Sequence, residues 1–422
     1  MQINLASPGR RIALLTVCLL AAAVYVGFAT LEFVATFYAD RADLASLQRS
    51  IRLQPGNADY RYRLGRFFTI LSPSADQAAS AYRAAVGLNP HQARYWLELA
   101  SAYELLDDSA AQQASIQEAI VTGPKIPDVA WQAANFYVLR GENEKALQEL
   151  KFVLEATPNA APAALQLAMR VSPDFDSVLR DVVPPNPRVY YSLLELLESR
   201  NNLEASKKTW AQLAGLQQPL ERNKVFEYVR FLLTNRDVEQ AQTVWRQAAD
   251  LAGLSAYQPS RNNLIVNSDF DQQVLNGGFD WIYSKSPDVH LAIDPTQNFS
   301  GHRSLLVSFN ARSLEDAGIR QLVPVEPNTA YEFSAHYKTK NLEGAGGPQF
   351  ALQDLYSGAT YFSSDDLVDA ENWKQVSGTF TTGADTRLLV LRVLRVPPKN
   401  AIKGNLWIDG VSLKPASGEG HS

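Results

Sequence analysis

The prolines Pro90, Pro124 and Pro158 stand 34 residues apart, and Pro55 precedes the first of them by 35. A fixed period of this size is a strong constraint. Each repeat folds as one supersecondary unit that buries its apolar face only against its neighbours. Between these prolines apolar residues recur at three and four, the spacing of an amphipathic helix. WLELASAY (96–103) and AWQAANFY (130–137) alternate large and small residues on one face, so two helices can approach closely. Beyond residue 158 the pattern weakens, with Pro173, Pro184, Pro185 and Pro187 interrupting it. Helical spacing resumes at VYYSLLELLES (189–199). EASKKTW (204–210) and EQAQTVW (239–245) read as second helices of degenerate repeats, their Ala205 and Ala241 lying 36 apart. Roughly five to six helix pairs are predicted, ending near residue 252.

The three in-phase units resemble tetratricopeptide repeats. Trp96, Leu99, Ala100, Tyr103, Ala119 and Pro124 fill the pattern of one unit, and Ala133, Ala134, Tyr137, Gly141, Ala146 and Pro158 that of the next. The preceding unit has Leu64, Gly65, Phe68, Ala78, Tyr82, Ala85 and Pro90, with one extra residue. The resemblance implies an α-solenoid whose concave face docks a protein partner. Each residue named is also what core packing between helices demands.

Ahead of the repeats, residues 12–31 read IALLTVCLLAAAVYVGFATL, uncharged throughout and long enough to span a hydrocarbon core of about 30 Å. Arg10 and Arg11 just before it place the N-terminus in the cytoplasm by the positive-inside rule. The prediction is a single-pass inner-membrane protein with its bulk in the periplasm and an uncleaved anchor over 12–38. A signal peptide cut after Ala21–Ala23 is the competing reading, but an apolar region of that kind spans about 7–15 residues and this one runs on. Glu32 falls at the outer end of the span. Cys18 is the only cysteine, so intrachain disulfides and thiolate metal sites are excluded.

At residue 263 the texture changes. AYQPSRNN (256–263) has the composition of a boundary, and AYEFSAHYKTK (330–340) then alternates polar and apolar residues as a strand with one buried face does. TRLLVLRVLRV (386–396) suits a central strand. SGHRS, VEPNTA, EGAGGP, LYSGA and TTGAD read as turns between many short strands, which argues for a sandwich or jelly roll. NLIVNSDF (263–270) is predicted as the first strand, and GGFDW (277–281) as a turn leading into another.

The run from 263 to 415 resembles the jelly-roll carbohydrate-binding modules found beside bacterial glycanases. The likeness is carried by NLIVNSDFD, GGFDW, SGHRSLLVSF, IRQLVPVEPNTAYEFSAHYK, ENWKQVSGTF and GNLWIDGVSLKP, in that order. It implies a polysaccharide ligand held by aromatic rings stacked on sugar faces and by polar groups fixing hydroxyls. Candidate rings are Trp281, Tyr283, Tyr356, Tyr361 and Phe362, the last three in a loop-like stretch. Candidate polar contacts are Glu332, His336, Gln353 and Arg392, if their strands share one face. Trp373 and Trp407 read as core. Some relatives hold a structural Ca2+, and Asp271 and Asp409 fall where those relatives have acids, with Asp269 a weaker third. Turn capping explains the same two residues.

Two function classes are disfavoured. Net charge is −5, the first 262 residues balance, and from residue 263 onward 18 acidic residues face 13 basic ones, so no basic face invites nucleic acid. No GxSxG, GxxxxGK[ST] or HExxH occurs, and the histidines lack metal-ligand spacing, so catalysis is not expected. The cluster Asp365, Asp366 and Asp369 keeps an unrecognised glycan hydrolase as an alternative. The chain reads as a multidomain α and β protein. Its expected parts are a cytoplasmic N-terminus (1–11), a transmembrane anchor (12–38), a tetratricopeptide-like α-solenoid (39–258), a jelly-roll β-sandwich (263–416) and a tail (417–422). The expected work is non-catalytic: docking a partner on the array and a glycan on the sandwich, in exopolysaccharide or cell-wall assembly. The remaining alternative is a pure scaffold whose sandwich is structural or docks protein.

Overall fold

The computed structural model describes residues 8–284, 286–396 and 400–416. The expected tail and the first seven residues of the expected N-terminus lie outside the described residues. One compact unit ends at Val189 and the other begins at Tyr190.

The first unit is helical. It opens with α1 (Pro8–Asp40), then α2 (Leu44–Leu53), α3 (Ala58–Ile70), α4 (Ala75–Leu88), α5 (Ala93–Leu105), α6 (Ser109–Thr122), α7 (Pro127–Leu139), α8 (Asn143–Ala156) and α9 (Ala161–Val171). A single turn, α10 (Phe175–Ser177), continues as a π turn over Val178–Val182. The helix α1 has the length and apolarity of a membrane span. A membrane anchor and a signal sequence share that signature. The periodic prolines lie in the turns that lead into the pairs α3–α4, α5–α6 and α7–α8 and into α9, where a missing N–H costs nothing. Side chains of Asp43, Asn57 and Asp108 accept from free N–H groups at helix starts. Small residues let the helices close up: a methyl added at Gly65 would stand 2.5 Å from the Tyr82 ring, which is fully buried. Tyr62 stacks on Tyr95 at 4.9 Å and joins neighbouring pairs.

The second unit contains the remaining helices and the sandwich. The helix α11 (Pro187–Ser199) begins just before the division, and α12 (Leu203–Gly215), α13 (Arg222–Thr234) and α14 (Val238–Leu251) follow. Trp210 of α12 stacks on Tyr228 of α13 at 5.1 Å and donates from Nε1 to Gln247 of α14.

The strands are β1 (Ile282–Tyr283), β2 (Val289–Asp294), β3 (Ser304–Ser313), β4 (Asp316–Pro324), β5 (Ala330–Glu343), β6 (Pro348–Asp354), β7 (Thr360–Ser363), β8 (Lys374–Thr381), β9 (Leu388–Arg395) and β10 (Ala401–Pro415). They form two five-stranded antiparallel sheets. One has the order β1-β4-β9-β6-β7 and the other β2-β3-β10-β5-β8. The alternation read in 330–340 holds: Tyr331, Phe333, Ala335 and Tyr337 are buried, while Glu332, Ser334, His336 and Lys338 face outward. The strand predicted from TRLLVLRVLRV is central in its sheet, and Leu389, Leu391 and Val393 enter the core.

Two sequence expectations need correction. NLIVNSDF is not a ladder strand, because Asn267 and Phe270 adopt left-handed backbone (φ 50° and 55°) and turn the chain. It is nonetheless tied down as a strand would be. The Gln321 amide, buried on β4, both accepts from and donates to the Val266 peptide, and Leu264 N–H donates to the Leu413 carbonyl. The second correction concerns LYSGATYFSS, whose end is the edge strand β7 rather than a loop of exposed rings.

Asp280 lies at the base of the GGFDW turn and is fully buried. Its Oδ2 accepts from Leu275 N–H at 2.7 Å, while Oδ1 has no hydrogen-bond partner. Burial pushes its carboxyl up from 3.8 to about 6. A raised folded-state value means that the folded protein binds the extra proton, so this contribution is full below pH 3.8 and is lost as pH rises through about 6. Its size is about 2–3 kcal/mol. Asp280→Asn keeps the bond to Leu275 and is expected to flatten the fall in melting temperature between pH 4 and 7. Parallel pH–melting curves for the two proteins would count against this account.

Candidate functional site

The outer face of the sheet β1-β4-β9-β6-β7 is assembled by register. Ile282 pairs with Arg320, Arg320 with Arg392, Arg392 with Ala351, and Ala351 with Ser363. One step along, Leu322 pairs with Val390, Val390 with Gln353, and Gln353 with Thr360. Strand alternation sends these side chains to the same side, away from the core. The turn after β6 adds Tyr356, and α13 forms a facing wall. Between them lies a cavity of about 660 Å3, lined by Arg320, Leu322 and Tyr356 from the sheet side and by Phe226, Glu227 and Arg230 from α13.

Each of these side chains has a defined setting. Arg392 Nη1 is 3.8 Å from Asp316 Oδ2, and its Nε is buried without a hydrogen-bond partner. Gln353 Nε2 donates to Thr360 Oγ1 at 3.1 Å. Tyr356 donates from its hydroxyl to the Leu233 carbonyl at 2.8 Å, and the Arg236 guanidinium lies 5.2 Å over its ring. Burial pushes the Tyr356 hydroxyl up to about 12. Glu227 is held by Lys224 at 2.9 Å.

The expected site residues therefore divide. Arg392, Gln353 and Tyr356 come together on this face. Glu332 and His336 lie on the outer face of the other sheet, because β5 belongs to it, so the expected polar set does not share one face. Glu332 pairs with Lys414 at 3.2 Å. The His336 ring stacks on Phe299 at 3.5 Å and 10°, with Trp373 edge-on to Phe299 at 6.2 Å. Burial holds the His336 imidazole below its ordinary value, and its Nδ1 is buried without a hydrogen-bond partner.

Four expected rings turn inward. Trp281 is 3% exposed, stacks on Phe270 at 5.1 Å and donates to the Asn267 carbonyl. Tyr283 has a buried hydroxyl that lacks a hydrogen-bond partner. Tyr361 shares its hydroxyl with Thr386 and Gly383 N–H, and Phe362 packs on Phe333 at 5.1 Å. Trp281 is buried, and Tyr283, Tyr361 and Phe362 are partly buried against the sandwich core. Of the two tryptophans expected in the core, Trp407 is buried and donates to Asp294, whereas Trp373 is half-buried.

Asp271 and Asp409 do not fit a calcium site. Asp409 Oδ2 accepts from the backbone N–H groups of Phe299 and Ser300, and Oδ1 from Ser300 Oγ and Gly410 N–H. Asp271 Oδ1 accepts from His302 N–H, and Oδ2 lies 3.0 Å from His302 Nδ1. Both carboxylates thus fasten the loop 299–302 through N–H donors. A cation needs oxygens converging on one point. No group of three His, Cys, Asp or Glu residues suited to a metal occurs among the described residues.

Arg320, Arg230 and Phe226 were missed in the sequence. Alternation along IRQLVP placed Arg320 outward and was a usable signal; nothing in the sequence placed α13 over the sheet.

Residues 262–397 match the family model for a carbohydrate binding domain. Among solved structures, the MamA protein is 16% identical over 44% of this chain and 92% of its own, with a TM-score of 0.28. A CBM22-1 xylan-binding domain from Paenibacillus barcinonensis Xyn10C is 16% identical over 36% of this chain and 92% of its own, with a TM-score of 0.25. A family 16 carbohydrate-binding module is 21% identical over 36% of this chain and 99% of its own, with a TM-score of 0.27. No curated protein matches the chain. The chain thus joins a helical N-terminal region to a C-terminal domain of carbohydrate-binding-module type.

Proposed function

We propose that this is a non-catalytic, membrane-anchored envelope protein whose sandwich binds a glycan and whose helical repeats dock a protein partner. The match of residues 262–397 to a carbohydrate binding domain carries the reading. The glycan site is the outer face of β1-β4-β9-β6-β7, where Arg392 and Gln353 point outward on neighbouring strands and Tyr356 lines the cavity beside α13. Residues 12–38 anchor the chain in the inner membrane, with the array (39–258) and the sandwich (263–416) on the periplasmic side. Tetratricopeptide-like packing of the helix pairs and the exposed apolar side chains of Leu105, Val121 and Leu139 support a docking role for the array. Exopolysaccharide or cell-wall assembly is the setting that joins a membrane anchor, a docking array and a glycan receptor.

The test is binding of the detergent-solubilised full chain to a panel of immobilised bacterial and plant polysaccharides. Arg392→Ala and Gln353→Ala are expected to weaken binding about tenfold each. Phe299→Ala, in the loop packed on the other sheet, is expected to leave it unchanged. Loss of binding in Phe299→Ala alone would move the site to the Phe299–His336–Trp373 cluster, and silence across the panel would leave the pure scaffold.

A further inference from the structure

The cavity beside α13 has an electrostatic character that a generic glycan site does not need. Arg320 of β4 and Arg392 of β9 are cross-strand neighbours on the outer face. Two guanidinium groups side by side repel unless an anion lies between or above them. Arg320 lines the cavity, and Arg230 lines it from the facing helix. Two carboxylates stand near the three arginines. Glu227, the only acid in the lining, is engaged by Lys224. Asp316 forms a long ion pair with Arg392 Nη1 at 3.8 Å, which offsets part of one charge and leaves the guanidinium fork without a close carboxylate. Arg392 Nε is buried with its N–H unspent.

The guanidinium fork matches a carboxylate in two parallel hydrogen bonds, whereas sugar hydroxyls are met as well by amides. Phe226 and Tyr356 in the same lining supply apolar surface for a ring face. The volume of about 660 Å3 is that of a site for a small ligand or a few linked sugar rings.

We infer that the Arg320–Arg392 pair and Arg230 select an acidic polysaccharide, one whose sugar units carry uronate carboxylates. This rests on the glycan reading above and narrows it to a substrate class. It contrasts with the acidic excess of the residues from 263 onward, which would repel such a polymer elsewhere on the domain.

The experiment measures affinity of the solubilised full chain for polygalacturonate and alginate, with xylan and laminarin as neutral counterparts, at low and high salt. Arg320→Gln and Arg392→Gln are the test variants. Lys414→Gln, on the outer face of the other sheet, controls for net charge, and thermal melts confirm folding. The expected result is uronate affinity at least about tenfold above neutral affinity, lost about tenfold in each arginine variant and kept in Lys414→Gln. Arg392→Lys is expected to recover only part, since it keeps the charge and loses the fork. Equal binding of neutral polymers with no effect of the arginine variants would overturn the acidic assignment and leave the glycan reading standing. Uronate binding weakened equally by Lys414→Gln would also overturn it, as a diffuse charge effect. Absence of binding to all four polymers would overturn both readings.

Discussion

Trp245→Ala is expected to cost the second unit about 3–5 kcal/mol and to split its unfolding into two steps. Trp245 is 1% exposed and joins α14 to the sandwich. Its ring lies 5.9 Å from Phe226 of α13 and 5.6 Å, edge-on, from Phe279 of the GGFDW turn. Its Nε1 donates to the Tyr257 carbonyl at 2.8 Å in the connecting segment. Gly278, with φ at +62°, lies against this ring so closely that an added Cβ would collide with it. Truncation leaves a cavity where the last helix pair and the sandwich share one core, and it strands the Tyr257 carbonyl. The measurement is differential scanning calorimetry of the full chain. The wild type should show the second unit melting as one transition, and Trp245→Ala should separate the helices from the sandwich. A small uniform shift, below about 1 kcal/mol, would show that the ring fills space without coupling the elements.

Asp409→Ala is expected to cost about 3–5 kcal/mol and to release the loop 299–302. Asp409 is fully buried in β10, and its two oxygens take four donors, three of them from that loop. Burial raises its pKa, so its acid form is favoured relative to a solvated carboxyl. Asp409→Asn retains part of the acceptor set and should cost less than alanine. Amide hydrogen exchange checks this directly: Phe299 and Ser300 should exchange faster in both variants, most in Asp409→Ala. Added calcium should leave the melting temperature of the wild type unchanged, because the oxygens are already engaged by donors. A calcium-dependent rise in melting temperature that Asp409→Asn abolishes would reverse that reading.

Both residues lie in motifs that were visible in the sequence. Their roles were legible to different degrees. GGFDW was read as a turn into a strand, and Ile282–Tyr283 follows it. The sequence left open whether Trp281 faced in or out, since an aromatic beside a turn suits a core and a sugar platform equally. The fold turned it inward by giving its indole N–H an acceptor at Asn267. Tyr361 and Phe362 looked exposed because polar residues surround them, yet both are partly buried against the core. Arg392 was named as a polar candidate on condition that its strand shared a face with the others; alternation along IRQLVP would have added Arg320, and only the strand pairing set the two side by side.

What the sequence by itself determined was local and periodic. The proline spacing set the helix pairs, the uncharged run set the apolar stretch inside α1, two-residue alternation set which side of β5 is core, and the apolar richness of β9 set its central place. Each follows from covalent geometry and the periods of helix and strand, which need no knowledge of the neighbour. The tertiary structure alone decided what meets across elements. It put β5 and β9 in different sheets, which separated His336 from Arg392. It also laid α13 beside the outer face of β4, which made a cavity from residues nearly a hundred positions apart. Such meetings depend on strand order and on the sum of many weak contacts between distant segments, a quantity that no local pattern carries.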